Sequence, residues 1–311
     1  MKIKNVACIG TGVIGEDWAI LFSLKRLNVA VHDSDRKRLN RLIEDIEQRM
    51  FFLKQNGFIE DKEVRAALKR LIVHDRIDEA VRDADYVQES VYESYASKKH
   101  VFGEIENNTH RRTVIASSTS ALSMSEIQEG MRVPGRCVIV HPMTPVYLMP
   151  LVEIVQSPKT TKATISLAQR FMLHLGKVPI VCKKEVPGFI VNRLQSAIYR
   201  EAIDLVNRGV ATVEEIDKVV MRGPALRWAF MGPFLVMHLA GGEGGIEHWI
   251  KHLATSYKLR LEDMATWSSI PEGAKRKVIE GIRDYRLLRN YRYVDLLRWR
   301  DRKLMKQLKA N

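Results

Sequence analysis

Two ionisable residues, His141 and Glu153, stand alone in the apolar stretch "HPMTPVYLMPLVEIV", residues 141 to 155. A carboxylate bonded to one imidazole nitrogen fixes the tautomer and raises the basicity of the other nitrogen. That is what a general base needs in order to take a proton from a hydroxyl group. The glutamate interrupts Leu151-Val152-Glu153-Ile154-Val155, otherwise a buried-strand pattern, and a charge there is costly unless it is paired and hydrogen-bonded. A satisfied core pair would show the same two residues. Two further stretches bear on the choice. "IASSTSAL", residues 115 to 122, puts a run of hydroxyls at the end of a predicted strand, and "VPGFIVNR", residues 186 to 193, enters a helix through Pro-Gly and carries Asn192. A serine and an amide so placed suit the holding of a reacting oxygen, although hydroxyls also cap helices and an asparagine near a helix start also bonds backbone.

These residues need elements to position them, and the N-terminal half supplies a recognisable set. Ile3 to Ile9 reads as a buried strand, followed at once by Gly10-Thr11-Gly12-Val13-Ile14-Gly15, a helical run, and a second strand from Asn28 to His32 ending at Asp33. Strand, G-x-G-x-x-G, helix, strand and acid in that order form a dinucleotide-binding fingerprint. Gly10 permits the tight turn, Gly12 the approach of backbone to pyrophosphate, and Gly15 the helix–strand contact, with Val13 and Ile14 completing the loop. Asp33 lies 21 positions after Gly12, the spacing of a carboxylate that accepts ribose hydroxyls, so NAD is expected over NADP. Arg36-Lys37-Arg38 just beyond reads as helix surface. Further strands are expected at Arg70 to His74, Tyr86 to Glu89, Thr113 to Ser117 and Cys137 to Val140, separated by helical stretches. The alternation predicts an α/β fold with a doubly wound parallel sheet, and His141 falls at the carboxyl end of a strand, where such sheets bind ligands. After about residue 185 the pattern is helical. The expected division is a Rossmann-type domain over 1–184 and a smaller all-helical domain over 185–311.

The composition excludes several classes. With 46% hydrophobic residues over 311 positions the chain buries a sizeable core. Its three cysteines, Cys8, Cys137 and Cys182, show no Cys-x-x-Cys pairing, and no metal site is expected. Neither a signal-type apolar leader nor a bilayer-length run is read, so the expectation is a cytoplasmic protein without a membrane span. The net charge of +13 invites a nucleic-acid reading. Sixteen Lys and Arg against seven Asp and Glu from Lys251 onward place most of that excess at the C-terminus, where basic residues alternate with Leu, Tyr and Trp at helical spacing. That describes a solvated helix with one packed face, and no nucleic-acid partner is expected.

Taken together, the motifs resemble the 3-hydroxyacyl-CoA dehydrogenase superfamily over nearly the whole chain. Its histidine, the proline step and the "LVE" twelve residues on are met by His141, Pro145 and Glu153. The resemblance implies that His141 is the catalytic base, that Glu153 orients it, and that Ser120 and Asn192 bind the reacting oxygen. It also implies that Glu93 and Lys98 lie near the cofactor ribose and nicotinamide, and that the protein is a homodimer. Thr144 and Ser118 stand where the family pattern has asparagine, and both are expected to face the ligand. "RWAFMGPF" and "LAGGEGG", within residues 223 to 249, are similar to the L-carnitine dehydrogenase branch and less closely to the lambda-crystallin branch. A small L-3-hydroxy acid, L-carnitine first, is the implied substrate, with L-gulonate, a short 3-hydroxyacyl-CoA and a non-catalytic NAD-binding scaffold as the alternatives. A trimethylammonium group is best held by aromatic faces, for which Trp228, Phe230, Tyr147 and Trp249 are candidates, with Arg193 or Arg227 for a carboxylate.

Overall fold

The computed structural model describes residues 3–310. Eight strands form one sheet: β1 Asn5–Ile9, β2 Asn28–His32, β3 Leu71–Val73, β4 Tyr86–Glu89, β5 Val114–Ser117, β6 Cys137–Pro142, β7 Leu151–Val155 and β8 Val178–Cys182, in the order β3-β2-β1-β4-β5-β6-β7-β8. Chain order reverses between the neighbours β1 and β4, which makes their carboxyl ends the switch-point crevice of an open α/β sheet. The helices used below are α1 Val13–Leu24, α2 Arg36–Gln55, α3 Tyr95–Asn108, α4 Lys162–His174, α5 Val191–Asn207, α6 Val213–Arg222, α7 Gly245–Asp263 and α8 Tyr293–Ala310.

The strands read as near-continuous apolar runs because both faces of the sheet are covered. Along β6, Val138 and Val140 enter one core cluster with Trp18, Phe22 and Phe171, while Cys137 and Ile139 enter another with Phe102 and Ile105. One departure from the expected parallel sheet matters for the site: β7 runs antiparallel to β6. The connection between them is residues 143–150, and a parallel crossover needs a dozen residues or more, so the chain must turn straight back.

Two compact units are present, Met1–Arg193 with Trp299–Asn311, and Leu194–Arg298. Within the first, the end of α8 packs Met305 against Leu53 and Leu148, and Tyr147 donates its hydroxyl to Asp301 (2.8 Å). The end of the basic C-terminal region, from Trp299 on, is therefore a packed part of the sheet-bearing unit. Within the second, the start of α6 is capped by Thr212, whose side chain accepts from the Glu215 N–H while Glu215 accepts in return. His238 lies on a helix at Pro233–Ala240, Glu243 in a short 3-10 turn at Gly242–Gly244, and Glu247 and His248 at the start of α7.

Candidate active site

The short β6–β7 return places His141 opposite Glu153 in the strand register. Residues directly opposite on an antiparallel pair share a face, and Nδ1 of His141 lies 2.8 Å from Oε2 of Glu153. Both are buried. The other carboxylate oxygen, Oε1, accepts the backbone N–H groups of Ile190 (2.8 Å) and Val191 (3.0 Å) at the start of α5. Burial pushes the Glu153 carboxyl up, but the hydrogen bonds from His141, Val191 and Ile190 outweigh it and hold the group below its ordinary range. An ionised carboxylate only accepts, so Nδ1 carries a proton, and in the neutral imidazole Nε2 keeps its lone pair. Phe189, buried at φ 50°, sets its ring edge-on to the imidazole with centroids 5.5 Å apart.

Ser120 and Asn192 meet through the Asn192 Nδ2–H, which donates to the Ser120 carbonyl (3.0 Å). Glu93 holds the same turn from beneath: its Oε1 accepts the Ser120 N–H (2.9 Å) and the Thr119 hydroxyl (2.6 Å). Burial raises the Glu93 carboxyl, yet these bonds and the Lys98 ammonium leave it lowered overall. Lys98 is buried on α3 and bridges Glu93 (3.2 Å) and Glu89 (2.8 Å). Glu89 escaped the sequence reading. It is fully buried at the end of β4 and also accepts from Ser117 (2.6 Å) and the Val91 N–H (2.6 Å). Its sequence signal is weaker than that of Glu153, because it follows Gln88 and ends the strand.

At the glycine loop, a Cβ on Gly10, whose φ is 94°, would sit 2.6 Å from the Ser90 carbonyl oxygen, and one on Gly15 would lie 1.8 Å from the Gly10 carbonyl oxygen. The protein itself requires both glycines. Gly12 differs, since a Cβ there would meet nothing nearer than 3.8 Å, so space is kept open at the N-terminus of α1 as a docked pyrophosphate requires. Val13 is 59% exposed beside it, whereas Ile14 packs on the core. Asp33 accepts from the Thr11 N–H (2.6 Å) and hydroxyl (2.9 Å) on one oxygen and from the Asp35 N–H (2.8 Å) on the other, which leaves that second oxygen a lone pair for a ribose hydroxyl. The residues present thus fit NAD.

The loop behind His141 is held by charges that sequence reading missed. Asp17 on α1, fully buried, accepts the Val146 N–H (2.8 Å) and pairs with Arg49 of α2 (2.6 Å). Lys177 donates to the carbonyls of Val146 and Met149. Burial pushes Asp17 up to about 6 against the opposing pull of Arg49, and pushes Lys177 down to about 8.

Several expectations need correction. Ser118 does not face a ligand: it is 5% exposed, and its hydroxyl oxygen lies within bonding distance of Trp18 Nε1, Gln88 Nε2 and Ser90 Oγ. Serine fits there because three neighbours already crowd that oxygen. Thr144 is exposed. Tyr147, offered as an ammonium-binding aromatic, is committed to Asp301 and the core. Arg193 donates to the Pro187 carbonyl (3.4 Å). In the second unit Trp228, Phe230 and Arg227 are exposed, and Trp249 pairs edge-on with Tyr257.

A doubly wound sheet whose switch-point crevice carries a glycine phosphate loop and an acid at the second strand end defines a nicotinamide-dinucleotide dehydrogenase. Residues 5–186 match the model of the 3-hydroxyacyl-CoA dehydrogenase NAD binding domain, and residues 188–281 that of the 3-hydroxyacyl-CoA dehydrogenase C-terminal domain. The L-carnitine dehydrogenase of Oceanobacillus iheyensis is 41% identical over 90% of this chain and 89% of its own. That of Streptomyces griseus is 42% identical over 88% of this chain and 82% of its own. Among solved structures, FHMPC 5-dehydrogenase, an NAD+ dependent dismutase, superposes with a TM-score of 0.82 at 25% identity over 99% of this chain and 97% of that one. The 3-hydroxybutyryl-CoA dehydrogenase of Escherichia coli gives 0.68 at 29% identity, over 77% of this chain and 50% of that one. The chain belongs to the 3-hydroxyacyl-CoA dehydrogenase family and is an NAD-dependent oxidoreductase acting on a CH–OH group.

Proposed function

We propose that this enzyme oxidises L-carnitine to 3-dehydrocarnitine, with His141 as the base. The chemistry rests on one observation, the buried His141–Glu153 pair whose Nε2 is left as a proton acceptor. The choice of substrate is supported by relatives at 38–42% identity that bear the name L-carnitine dehydrogenase. In this reading Nε2 takes the proton of the 3-hydroxyl group, and the imidazolium so formed is stabilised by the carboxylate already bonded to Nδ1. Asn192 has spent one amide hydrogen on the Ser120 carbonyl, so its second N–H remains as a donor to the reacting oxygen, and the Ser120 hydroxyl, which donates to Glu93 (3.4 Å), becomes a second donor when it turns from Glu93 to that oxygen. Glu93 and Lys98 shape the turn that presents Ser120. Bound at Gly10 to Gly15 and Asp33, NAD supplies the hydride acceptor.

The same reading makes the protein a cytoplasmic homodimer with a helical domain beginning after residue 184. The helical segment supports dimerisation: between residues 194 and 298 the buried apolar side chains among the described residues are Ala265 and Ala274, while Leu226, Phe230, Phe234 and Leu259 are exposed. Helices without a core of their own need a partner surface. No helix among the described residues is long and apolar enough to cross a membrane.

The test follows NADH formation with L-carnitine, L-gulonate and 3-hydroxybutyryl-CoA offered separately, and repeats any turnover with His141→Ala. Turnover of carnitine alone, abolished in the variant, is expected. Turnover of the CoA ester alone would overturn the substrate, and full activity of the variant would overturn the base.

A further inference from the structure

Behind the switch-point crevice runs a chain of buried polar groups whose hydrogen-bond directions can be fixed by counting. The Tyr86 hydroxyl lies 2.7 Å from Gln88 Oε1, and Gln88 Nε2 lies 2.8 Å from Ser118 Oγ and 3.5 Å from the Val140 carbonyl oxygen. A backbone carbonyl only accepts, so the atom facing it is the amide nitrogen, and the Tyr86 hydroxyl must donate to the amide oxygen. Ser118 Oγ therefore receives the Gln88 N–H, and it also receives the Trp18 indole N–H at 3.1 Å. A hydroxyl oxygen has two lone pairs, and both are now taken. Its own hydrogen has to go to the one remaining neighbour, Ser90 Oγ, at 2.8 Å.

Ser90 is thus an acceptor toward the interior, and its hydroxyl hydrogen has no protein acceptor among the described residues. Its position supplies one. Ser90 directly follows β4, its N–H donates to Ile9 of β1 (2.7 Å), and its backbone carbonyl faces Gly10 while its Cβ lies 3.6 Å from where a Cβ of Gly15 would stand. The residue therefore forms one side of the phosphate loop, between the two strand ends where chain order reverses. We propose that the Ser90 hydroxyl is a donor to the bound dinucleotide, on an oxygen of its pyrophosphate–ribose backbone, with its direction set by Tyr86, Gln88, Trp18 and Ser118. Ser118, where the family pattern has asparagine, serves the cofactor at one remove.

The inference rests on the dinucleotide reading of the first unit and not on the substrate. Its test is a fluorescence titration of NADH into the purified, substrate-free protein, with melting temperature measured in parallel. Ser90→Ala is expected to weaken NADH binding about tenfold, the size of one hydrogen bond to a charged or strongly polar acceptor. Ser90→Cys, nearly isosteric but a weak donor, should do much the same. Ser118→Ala strands the Trp18 and Gln88 donors and should lower the melting temperature at least as much as Ser90→Ala. It leaves the Ser90 hydrogen in place but no longer directed, so its NADH affinity should fall by less than that of Ser90→Ala despite the larger loss of melting temperature. Unchanged affinity in both Ser90 variants, or losses that follow melting temperature equally in all three, would overturn the role. Failure of the wild-type protein to bind NADH would overturn the dinucleotide reading itself.

Discussion

His141 and Glu153 are coupled so closely that a one-atom change in the second should disable the first. In Glu153→Gln the side chain has one oxygen to set against two groups of donors, His141 Nδ1–H on one side and the Ile190 and Val191 N–H groups on the other. With the amide nitrogen toward His141, the imidazole must turn its lone pair to Nδ1 and its proton to Nε2, and it can no longer act as a base. With the amide reversed, two backbone donors lose their acceptor. The expected result is a fall in kcat of about 10²- to 10⁴-fold, read by steady-state kinetics, with little change in NADH affinity. An unchanged kcat would sink the assignment. A pH signature accompanies it. The folded protein holds Glu153 below its ordinary value of 4.5, so this group contributes stability above that pH and the contribution is lost as pH falls through the lower folded value. The melting-temperature gap between wild type and Glu153→Gln should therefore narrow on acidification below about pH 4.5. Site residues of this kind were legible in sequence because a lone charge in an apolar strand needs a partner. Glu89 lacks that mark, since it follows Gln88 at a strand end, and the partner that explains it, Lys98, is on a helix and is brought near only by packing.

At the scale of elements, the connection between β6 and β7 matters most. Its eight residues force the antiparallel return that sets His141 against Glu153, and they are held in place through their backbone, with Asp17 accepting the Val146 N–H and Lys177 donating to the Val146 and Met149 carbonyls. Lys177→Met keeps the stem and removes the donor, leaving the Val146 and Met149 carbonyls unsatisfied. A loss of about 2–6 kcal/mol in unfolding free energy is expected by denaturant titration, at about 1–3 kcal/mol for each of the two stranded carbonyls. A raised KM for the hydroxy acid should accompany it, because the loop carries Thr144, three positions after His141. A variant as stable as wild type would show that water or a neighbouring donor replaces the lysine. Neither Asp17 nor Lys177 could be assigned from sequence: one sits in the first turns of the cofactor helix and the other in a turn before β8, and each reads as an ordinary surface charge.

At the scale of the whole molecule, the two units differ in how they bury apolar surface. The sheet-bearing unit closes its own cores and draws the end of α8 back onto itself through Met305, Leu53 and Leu148. The helical unit leaves large apolar side chains in the open, Phe234 among them at 79% exposure. With the proposed homodimer formed through this face, Phe234→Asp is expected to shift the protein toward monomer in light scattering. A monomeric wild type, or a variant that dimerises as before, would remove that surface from the interface.

The sequence by itself determined the alternation of strands and helices, the glycine phosphate loop, Asp33, and the residue types at His141, Glu153, Ser120 and Asn192. Each of these follows from local spacing, because periodicity, turn glycines and strand-end positions are properties of neighbours along the chain. Only the tertiary structure decided that β7 returns antiparallel, that Glu153 also anchors the start of α5, that Ser118 points inward to direct Ser90, and that Asp17 and Lys177 meet at Val146. Those arrangements depend on hydrogen-bond partners up to 129 positions apart, and the chain must be folded before such donors and acceptors can be counted against one another.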